Sequence, residues 1–454
     1  MIWTPTPPTS WPQQPRAGSP YTSCRTEPRP QEPAIDTSAP DRRPNDPTFP
    51  GLHVRPVDGW VNDPNGLALI DGRYHVFFQY NGAEPRHRSI TWGHASSSDL
   101  ISWTYHGVAL VNRPGNIDQQ GCWSGCLVDD RGLPTAVYTA VRDSPAEAVV
   151  ALARSEDRTL LTWRQSDHGV IGPPADRSLT ETRDPYVFSY AGHRYAVQGT
   201  GGRDAEPAVL LYGCDDLDRW TELGVLLDFT DPLVRRIAAS STWECPNLFP
   251  LDGHWVLVLS CWQDGDLCSV YLIGDLEPHD AGPRFVPRSG GRVDDSSAYY
   301  APQALVTADR VLIWGWAREV QRTETQLLEA GWAGALTFPR RLSVVEDRLV
   351  STPVAELDRL RGDQLDAAAP ITARAFEIRS DAGVRLALVD GDDHQVVVDG
   401  SGPVRVFVDG SLIEIFTAGA PPRTVRAYPR PTSVWSVRSD PASVVVTTLS
   451  LPSS

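Results

Sequence analysis

The chain has 454 residues, of which 41% are apolar and 22% are charged, so it is long enough for two globular domains with buried cores. Its net charge of -16 at pH 7 argues against nucleic acid or an anionic membrane surface as a partner. The sequence contains no lysine, which excludes catalysis through a lysine Schiff base.

Residues 1–48 are rich in proline, threonine and serine, a composition that predicts a disordered tail. This segment lacks the basic start and apolar core of a signal peptide, and no later stretch has the length of a transmembrane helix. The seven cysteines are scattered, and their spacing matches neither a disulfide framework nor a zinc site. These features predict a cytoplasmic protein that needs no metal or cofactor, and they leave its oligomeric state open.

Short strand-like segments, each entered through a turn, recur between residues 50 and 350. The turn residues stand about 60 positions apart, at Gly72, Gly132, Gly192, Gly253 and Asp309. Five β-rich units of similar length predict a five-bladed β-propeller over residues 49–350, in which the segment before each turn is the innermost strand. An ordinary β-sandwich with accidental spacing is the alternative.

The innermost strands predict a shared site, because equivalent positions of all blades face one channel. Eight or nine residues before the turn residues stand Asp63, Ser124, Asp184, Glu244 and Tyr300. Three carboxylates at one neck repel each other and destabilise the fold, so their presence indicates a function. Taken alone, Asp63 is more typical of an Asx turn, and Asp184 of a structural ion pair with Arg183.

Aromatic residues accompany these carboxylates, since Trp60, Trp123 and Trp243 flank the same neck. Aromatic faces beside acids suit a sugar, because the rings stack on its CH groups while the acids bind its hydroxyls. Two carboxylates across a glycosidic bond are also the minimal machinery for cleaving it. The pattern therefore predicts a small-molecule sugar substrate.

Several motifs resemble those of glycoside hydrolase family 32, the group of invertases, inulinases and levanases. They are WVNDPNG (60–66), FFQYN (77–81), CWSG (122–125), RDP (183–185), WECP (243–246), IWGWA (313–317) and VRVFVDGSLIEIF (404–416). The resemblance covers residues 50–450 and implies a retaining β-fructofuranosidase that acts on sucrose or short fructans. It leaves open a fructosyltransferase, a sucrose-6-phosphate hydrolase and a non-catalytic carbohydrate-binding propeller.

The resemblance also implies a role for each site residue. Asp63 would be the nucleophile, Glu244 the general acid/base and Asp184 the stabiliser of an oxocarbenium-like transition state. The expected sugar contacts are Trp60, Asn62, Gln79, Trp123, Ser124, Arg183, Tyr300 and Trp316.

The chain departs from the family after FFQYN, where His87 stands in place of a tryptophan that completes the aromatic wall. This departure leaves the shape of the leaving-group side open. Arg86 and Arg88 lie in the same loop, and they suggest either a solvated basic cluster or recognition of a phosphorylated sugar.

Beyond the repeats, residues 351–364 are interpreted as a linker in which Val354, Leu357 and Leu360 have helical spacing. Residues 365–454 alternate apolar and polar positions between Gly and Asp turns, which predicts a small C-terminal β-sandwich. Asp409 and Glu414 are interpreted as turn and interface residues, and no catalytic role is expected there.

Overall fold

The computed structural model describes residues 45–202, 205–263, 265–440 and 442–452, so the predicted tail lies outside the described residues except for its last four positions. The described chain is nearly all β, as the sequence predicts. Its helical segments are short, namely α1 (Pro232–Ile237), α2 (Glu324–Ala330) and 3-10 turns at Pro145–Glu147 and Ala355–Leu360. In these ranges no helix has the length and apolar character needed to cross a membrane.

Residues 59–353 form five sheets of four or five strands, and within each sheet neighbouring strands are mostly consecutive along the chain. Sheet 1 contains β1 (Gly59–Ile70), β2 (Arg73–Asn81), β3 (Thr91–Ser97) and β4 (Thr104–Leu110). Sheet 2 contains β5 (Gly121–Asp130), β6 (Leu133–Val141), β7 (Val149–Ser155) and β8 (Trp163–Gln165). Sheet 3 contains β9 (Arg183–Tyr190), β10 (His193–Gly199), β11 (Ala208–Asp216) and β12 (Arg219–Asp228).

The last two sheets complete this series. Sheet 4 contains β13 (Thr242–Leu251), β14 (His254–Gln263), β15 (Asp266–Glu277) and β16 (Arg284–Arg292). Sheet 5 contains β17 (Tyr299–Val306), β18 (Val311–Ala317), β20 (Ala335–Leu336), β21 (Arg340–Val345) and β22 (Arg348–Pro353), while β19 (Trp332–Ala333) pairs in parallel with the start of β1. The chain segment after β18 thus connects the fifth sheet to the first.

Tight turns between the first and second strands account for the repeat in the sequence. At the four glycine turns both central residues have positive φ, in the pairs Asp71–Gly72, Arg131–Gly132, Ala191–Gly192 and Asp252–Gly253. This is the conformation of a type I′ hairpin turn, which glycine adopts without steric cost. The turns predicted at these glycines are confirmed.

The five first strands surround one centre. Each contacts the next in the cycle β1, β5, β9, β13 and β17, and β17 in turn contacts β1. A narrow cavity at this centre is lined by residues from all five strands, among them Pro64, Ser124, Asp184, Cys245 and Ala301. Side chains from the starts of these strands are thereby brought close together.

The C-terminal region contains two further antiparallel sheets. The six-stranded sheet has the order β23 (Arg361–Leu365), β31 (Val444–Leu449), β24 (Ala375–Ser380), β27 (Val404–Asp409), β28 (Leu412–Thr417) and β29 (Arg423–Arg426). The three-stranded sheet has the order β26 (Asp393–Ser401), β25 (Gly383–Asp390) and β30 (Val434–Arg438). Residues 351–364 end β22, bury Leu357 and Leu360 in a 3-10 turn and begin β23.

A buried ionic cluster joins this C-terminal region to the repeats. Arg340 on β21 donates to Glu414 Oε2 (2.6 Å) and to Asp294 Oδ2 (2.8 Å). The His53 ring lies 2.8 Å from Asp409 Oδ2 and 3.1 Å from Glu414 Oε1. Burial disfavours the charged form of Glu414, but Arg340 and His53 outweigh it and lower the pKa of Glu414 below its ordinary value. We call these five residues the interface cluster.

Candidate active site

A break in strand pairing at the start of each first strand turns side chains toward the centre. Regular pairing with the second strand skips two residues at 62–63, 123–124, 184–185, 245–246 and 301–302. Asp63 and Ser124 occupy the second skipped position, Asp184 the first, and Glu244 and Tyr300 the position just before the break. The residues predicted from the repeat therefore differ by up to two steps in register, and such irregularities often re-aim side chains beside active sites.

The first skipped position is also strained in three of the five strands. Asp184, Cys245 and Ala301 have φ values of 61°, 46° and 46°, in the left-handed region that non-glycine residues seldom adopt. Backbone of this kind costs on the order of 1–3 kcal/mol per residue and persists where the surrounding structure enforces it. The strain points to this position as a functional one.

Asp63 accepts hydrogen bonds on both carboxylate oxygens. Asn62 Nδ2 donates to Oδ1 (3.0 Å), while Ser124 Oγ (2.5 Å) and Gln79 Nε2 (3.0 Å) donate to Oδ2. Burial raises the pKa of Asp63 to about 6, against the hydrogen bonds from Ser124 and Asn62, and the charge of Glu244 raises it further. Asp63 is thus held in one orientation by three neighbours, with its ionisation close to neutral pH.

Asp184 is held mainly by the backbone. Its N–H donates to Thr139 Oγ1 (2.9 Å), and its Oδ2 accepts the N–H of Cys245 (3.0 Å). Burial raises the pKa of Asp184 to about 7 against the opposing charge of Arg183, and the charges of Glu244 and Asp63 act in the same direction as burial.

Glu244 receives hydrogen bonds from two side chains. Arg183 donates to Oε1 through Nε (3.0 Å) and Nη2 (2.8 Å), and Tyr300 donates its hydroxyl to Oε2. Arg183 also donates Nη1 to Glu181 Oε2 (2.6 Å). Oε1 is therefore fixed by a guanidinium, while Oε2 is held by a single neutral hydroxyl.

Cys245 connects the three carboxylates. It follows Glu244 in the chain, and its Sγ lies 3.4 Å from Asp184 Oδ2 and 3.7 Å from Asp63 Oδ2. Burial raises the pKa of this thiol, and the neighbouring carboxylates act in the same direction, so it stays protonated and can donate to them. No motif in the sequence indicates these contacts of Cys245.

Aromatic rings stand beside the carboxylates. Trp60 lies 5.5 Å from Trp316 between ring centroids, and its Nε1 donates to Asn62 Oδ1 (2.7 Å). His87 lies between Trp60 (6.2 Å) and Trp123 (5.5 Å), exposed to solvent. Contacts with one another and with His87 thus link the rings of Trp60, Trp123 and Trp316. Trp243, which was predicted to flank the same neck, is instead fully buried in the core, where its Nε1 donates to the carbonyl of Ala238.

The His87 ring also reaches the polar network of Asp63. Its Nε2 lies 3.2 Å from Gln79 Oε1, and the amide group of Gln79 donates to both Asp63 and Ser124. Because Gln79 Oε1 can only accept, the Nε2 of His87 carries the proton and Nδ1 is left as an acceptor. Although part of the residue is open to solvent, the dense protein around the ring desolvates its charged form and lowers the pKa of His87 below its ordinary value, against the charge of Glu244. This shift favours the neutral form.

The arginines of the same loop are engaged by acids. Arg86 pairs with Glu324 (2.6 Å) and Glu84 (3.3 Å), and Arg88 stands 3.8 Å from Glu84. A phosphate group would have to compete with these carboxylates for the guanidinium groups. Within the part of the chain that the structure describes, no group of three or more His, Cys, Asp or Glu residues is arranged to hold a metal ion.

Comparison with known proteins gives consistent results. Residues 53–353 match the family model described as the glycosyl hydrolases family 32 N-terminal domain. A sucrose-6-phosphate hydrolase from Zymomonas mobilis is 32% identical over 341 residues, which are 69% of this chain and 63% of that enzyme's length. A sucrose-6-phosphate hydrolase from Escherichia coli is 30% identical over 444 residues, covering 84% of this chain and 90% of that protein.

A solved structure supports the same conclusion for the fold. The sucrose-6-phosphate hydrolase from Lactobacillus gasseri superimposes with a TM-score of 0.76 at 22% identity, over 90% of this chain and 94% of that one. The family model covers well over half of this chain and includes the three carboxylates that meet at its centre. The chain therefore belongs to glycosyl hydrolase family 32.

Proposed function

We propose that this chain is a retaining glycoside hydrolase that releases terminal non-reducing β-D-fructofuranosyl residues from sucrose or short fructo-oligosaccharides. The observation that carries the proposal is the meeting of Asp63, Asp184 and Glu244, from three different sheets, around the thiol of Cys245. Relatives named raffinose invertase from Escherichia coli and fructan 1-exohydrolase from Leymus chinensis act on substrates of this class.

The fold proposal follows the same line. We infer that the five sheets are the blades of a five-bladed β-propeller over residues 49–350, and that residues 365–454 form a β-sandwich behind the linker 351–364. The cyclic contacts among the five first strands and the parallel pairing of β19 with β1 support this architecture. The interface cluster would then join the sandwich to the fourth and fifth blades.

Asp63 is the proposed nucleophile. Attack on the anomeric carbon needs an ionised carboxylate in a fixed orientation, and Asn62, Gln79 and Ser124 supply that orientation. Their donors also hold Oδ1 and Oδ2 in different environments. Water would then attack the anomeric carbon of the fructosyl ester from the face that the leaving group left, opposite Asp63, and this second inversion retains the configuration.

Glu244 is the proposed general acid/base. With Oε1 held by Arg183, a proton on Oε2 would replace the hydrogen bond from Tyr300 and be available to the leaving oxygen. Asp184 would hold fructose hydroxyls and stabilise positive charge on the ring. Trp60, Trp123 and Trp316 would pack against the sugar.

The decisive experiment compares wild type and Glu244→Gln on sucrose, 1-kestose and inulin. We expect release of free fructose by wild type, and a loss of about 10²–10⁴-fold in the variant, with a fructosyl adduct on Asp63 detected by mass spectrometry. Tight sucrose binding without turnover would favour a non-catalytic propeller. Growth of oligosaccharides at high sucrose concentration would favour a fructosyltransferase.

Sucrose 6-phosphate is the second candidate substrate, because several relatives carry that activity in their names. The acid partners of Arg86 and Arg88 count against this loop as the phosphate site. The ratio of kcat/KM for sucrose 6-phosphate to that for sucrose decides between them. Equal or better turnover of plain sucrose rules out the phosphorylated sugar as the preferred substrate.

A further inference from the structure

Two thiols face each other in sheet 4, one strand away from the catalytic glutamate. Cys261 on β14 and Cys268 on β15 are direct partners in the antiparallel register. Both are free cysteines, and their side chains are hydrogen-bonded to each other. The scattered spacing of the cysteines in the sequence does not reveal this pair, because only the hairpin register brings them together.

The register leaves the two residues within reach of a disulfide. Directly opposed residues in an antiparallel pair have Cα atoms about 4.5–5.5 Å apart, inside the range of about 4.4–6.8 Å that disulfides span. Their Cβ atoms stand about 4.5–5.5 Å apart, whereas a disulfide needs about 3.5–4.5 Å. Bond formation therefore requires a small contraction of the hairpin, and a bond formed under such strain is easily reduced.

The two thiols differ in accessibility and reactivity. Cys261 is 2% exposed, whereas Cys268 is half-buried, two residues from the exposed Asp266. The hydrogen bond from Cys261 lowers the pKa of Cys268 below its ordinary value against the effect of burial, and Arg292 acts in the same direction as that hydrogen bond. Cys268 is thus the attacking thiol, and Cys261 is positioned to resolve the intermediate.

Strand pairing and side-chain packing connect the two thiols to the candidate active site. Cys261 is the register partner of Trp243, and the adjacent Ser260 is the partner of Glu244. Leu267, next to Cys268, packs against the buried cluster of Cys245, Tyr300 and Ala301. A contraction at the thiols would therefore act on the strand that carries the acid/base and on the residues beside it.

We propose that Cys261 and Cys268 form a reversible disulfide that lowers the activity of the adjacent site. The Cys268 thiolate attacks a small-molecule disulfide and forms a mixed disulfide, releasing one thiolate of the oxidant. The sulfur of Cys261 then attacks the sulfur of Cys268 and releases the second thiolate, which takes up the proton of Cys261. The protein is oxidised by two electrons and the small disulfide is reduced to two thiols.

The first test uses oxidised glutathione as the probe and the full-length chain. We expect thiols counted after denaturation to fall by two per molecule, and cleavage before Asp266 to leave two peptides joined through residues 261 and 268. Dithiothreitol should restore both thiols. No loss of thiols, or linkage between other cysteines, overturns the proposal. This readout does not require the proposed activity, so its failure is distinguishable from a failure of that assignment.

The second test connects the bond to function and rests on the proposed activity. Oxidation should lower kcat/KM on sucrose by about tenfold, because a displacement near 1 Å at a catalytic group has effects of this order or larger. In Cys268→Ser, oxidised glutathione should neither consume two thiols nor inhibit the enzyme. Cys214 is a buried thiol in sheet 3, and Cys214→Ser should show both effects as wild type does. An oxidised protein with unchanged kcat/KM overturns the regulatory role, whatever the variants do.

Discussion

The molecule buries two clusters of carboxylates, and they are treated in opposite ways. At the site Arg183 pairs with Glu244 and Glu181, and its charge also acts on Asp184. At the interface Asp294, Asp409 and Glu414 are matched by Arg340 and His53. One cation therefore serves the carboxylates of the site, whereas two cations serve the three carboxylates of the interface cluster.

The pKa values express this difference. Burial raises the pKa of Asp63 to about 6 and that of Asp184 to about 7. At the interface burial also raises the pKa of Asp294 against the charge of Arg340, whereas Arg340 and His53 together lower the pKa of Glu414 in spite of burial. An acid whose charge is fully compensated, such as Glu414, contributes to stability, whereas buried acids with raised pKa values cost stability and are typical of functional sites. Neutralising one acid in each cluster should therefore have opposite consequences.

The largest effect is expected for Asp63→Asn. Without this proposed nucleophile, kcat on sucrose should fall by about 10⁴-fold, the order seen when an enzyme loses such a group. The folded pKa of Asp63 lies above its unfolded value, so the stability that this group contributes is present below about pH 4 and is lost as pH rises through about 6. At pH 7 the variant should accordingly be more stable than wild type in denaturant unfolding, and a less stable variant contradicts the comparison.

The opposite result is expected for Glu414→Gln. Removing this charge leaves Arg340 buried with Asp294 alone and weakens the contact to His53. Breaking a buried pair in this way costs about 3–5 kcal/mol in the free energy of unfolding. The kcat of the folded fraction should stay unchanged, because no interface residue contacts the sugar.

A surface pair provides the control for this measurement. Glu346 is 81% exposed and stands 3.5 Å from Arg348, so Glu346→Gln should change the free energy of unfolding by less than about 1 kcal/mol. If Glu414→Gln is as mild as Glu346→Gln, the interface cluster is not a stabilising one.

A smaller effect is expected for Ser124→Ala, which tests how the site controls the ionisation of Asp63, the proposed nucleophile. Ser124 donates a 2.5 Å hydrogen bond to Asp63, and this bond lowers the pKa that burial raises. Losing this hydrogen bond should move the acid limb of the pH profile of kcat/KM from near pH 6 upward by about one pH unit. Ser269→Ala, at a buried serine with no hydrogen-bond partner among the described residues, should leave the limb in place. If the acid limb of Ser124→Ala stays in place, the limb does not report the ionisation of Asp63.

The two clusters differ in how far the sequence predicts them. The site carboxylates stand at one phase of a repeat and in motifs with Pro185 and Pro246, so their convergence follows from the pattern. The breaks in strand pairing near the start of the five first strands were not predicted. All five strands carry such a break, so the breaks do not change the spacing of the repeat in the sequence. For this reason the repeat located Asp63, Asp184 and Glu244 but not their difference in register.

The interface cluster is harder to recognise. His53, Asp294 and Arg340 lie in unrelated segments, and only the docking of the C-terminal region brings them to Glu414. The sequence supports an interface role for Asp409 and Glu414 but names no partners for them. Contacts between distant segments of this kind depend on tertiary packing, which local patterns do not encode.

The smallest effect is expected for His87→Phe, which compares the histidines of the two regions. His53 is buried between two carboxylates and its pKa is raised, whereas His87 is exposed, contacts Gln79 and has a lowered pKa. Phenylalanine keeps a ring between Trp60 and Trp123 but removes the hydrogen bond to Gln79. Losing one such bond, worth about 0.5–1.5 kcal/mol, should lower kcat/KM on sucrose about three- to tenfold.

The split between kcat and KM locates the role of this histidine. If His87 acts by orienting Gln79 against Asp63, kcat falls and the acid limb shifts; if its free Nδ1 binds the leaving group, KM rises on sucrose and the limb stays. His168→Phe, at an exposed histidine on the loop after β8, should change neither parameter. An unchanged kcat/KM in His87→Phe would show that the aromatic wall needs only a ring at this position, and that the hydrogen bond to Gln79 has no part in the reaction.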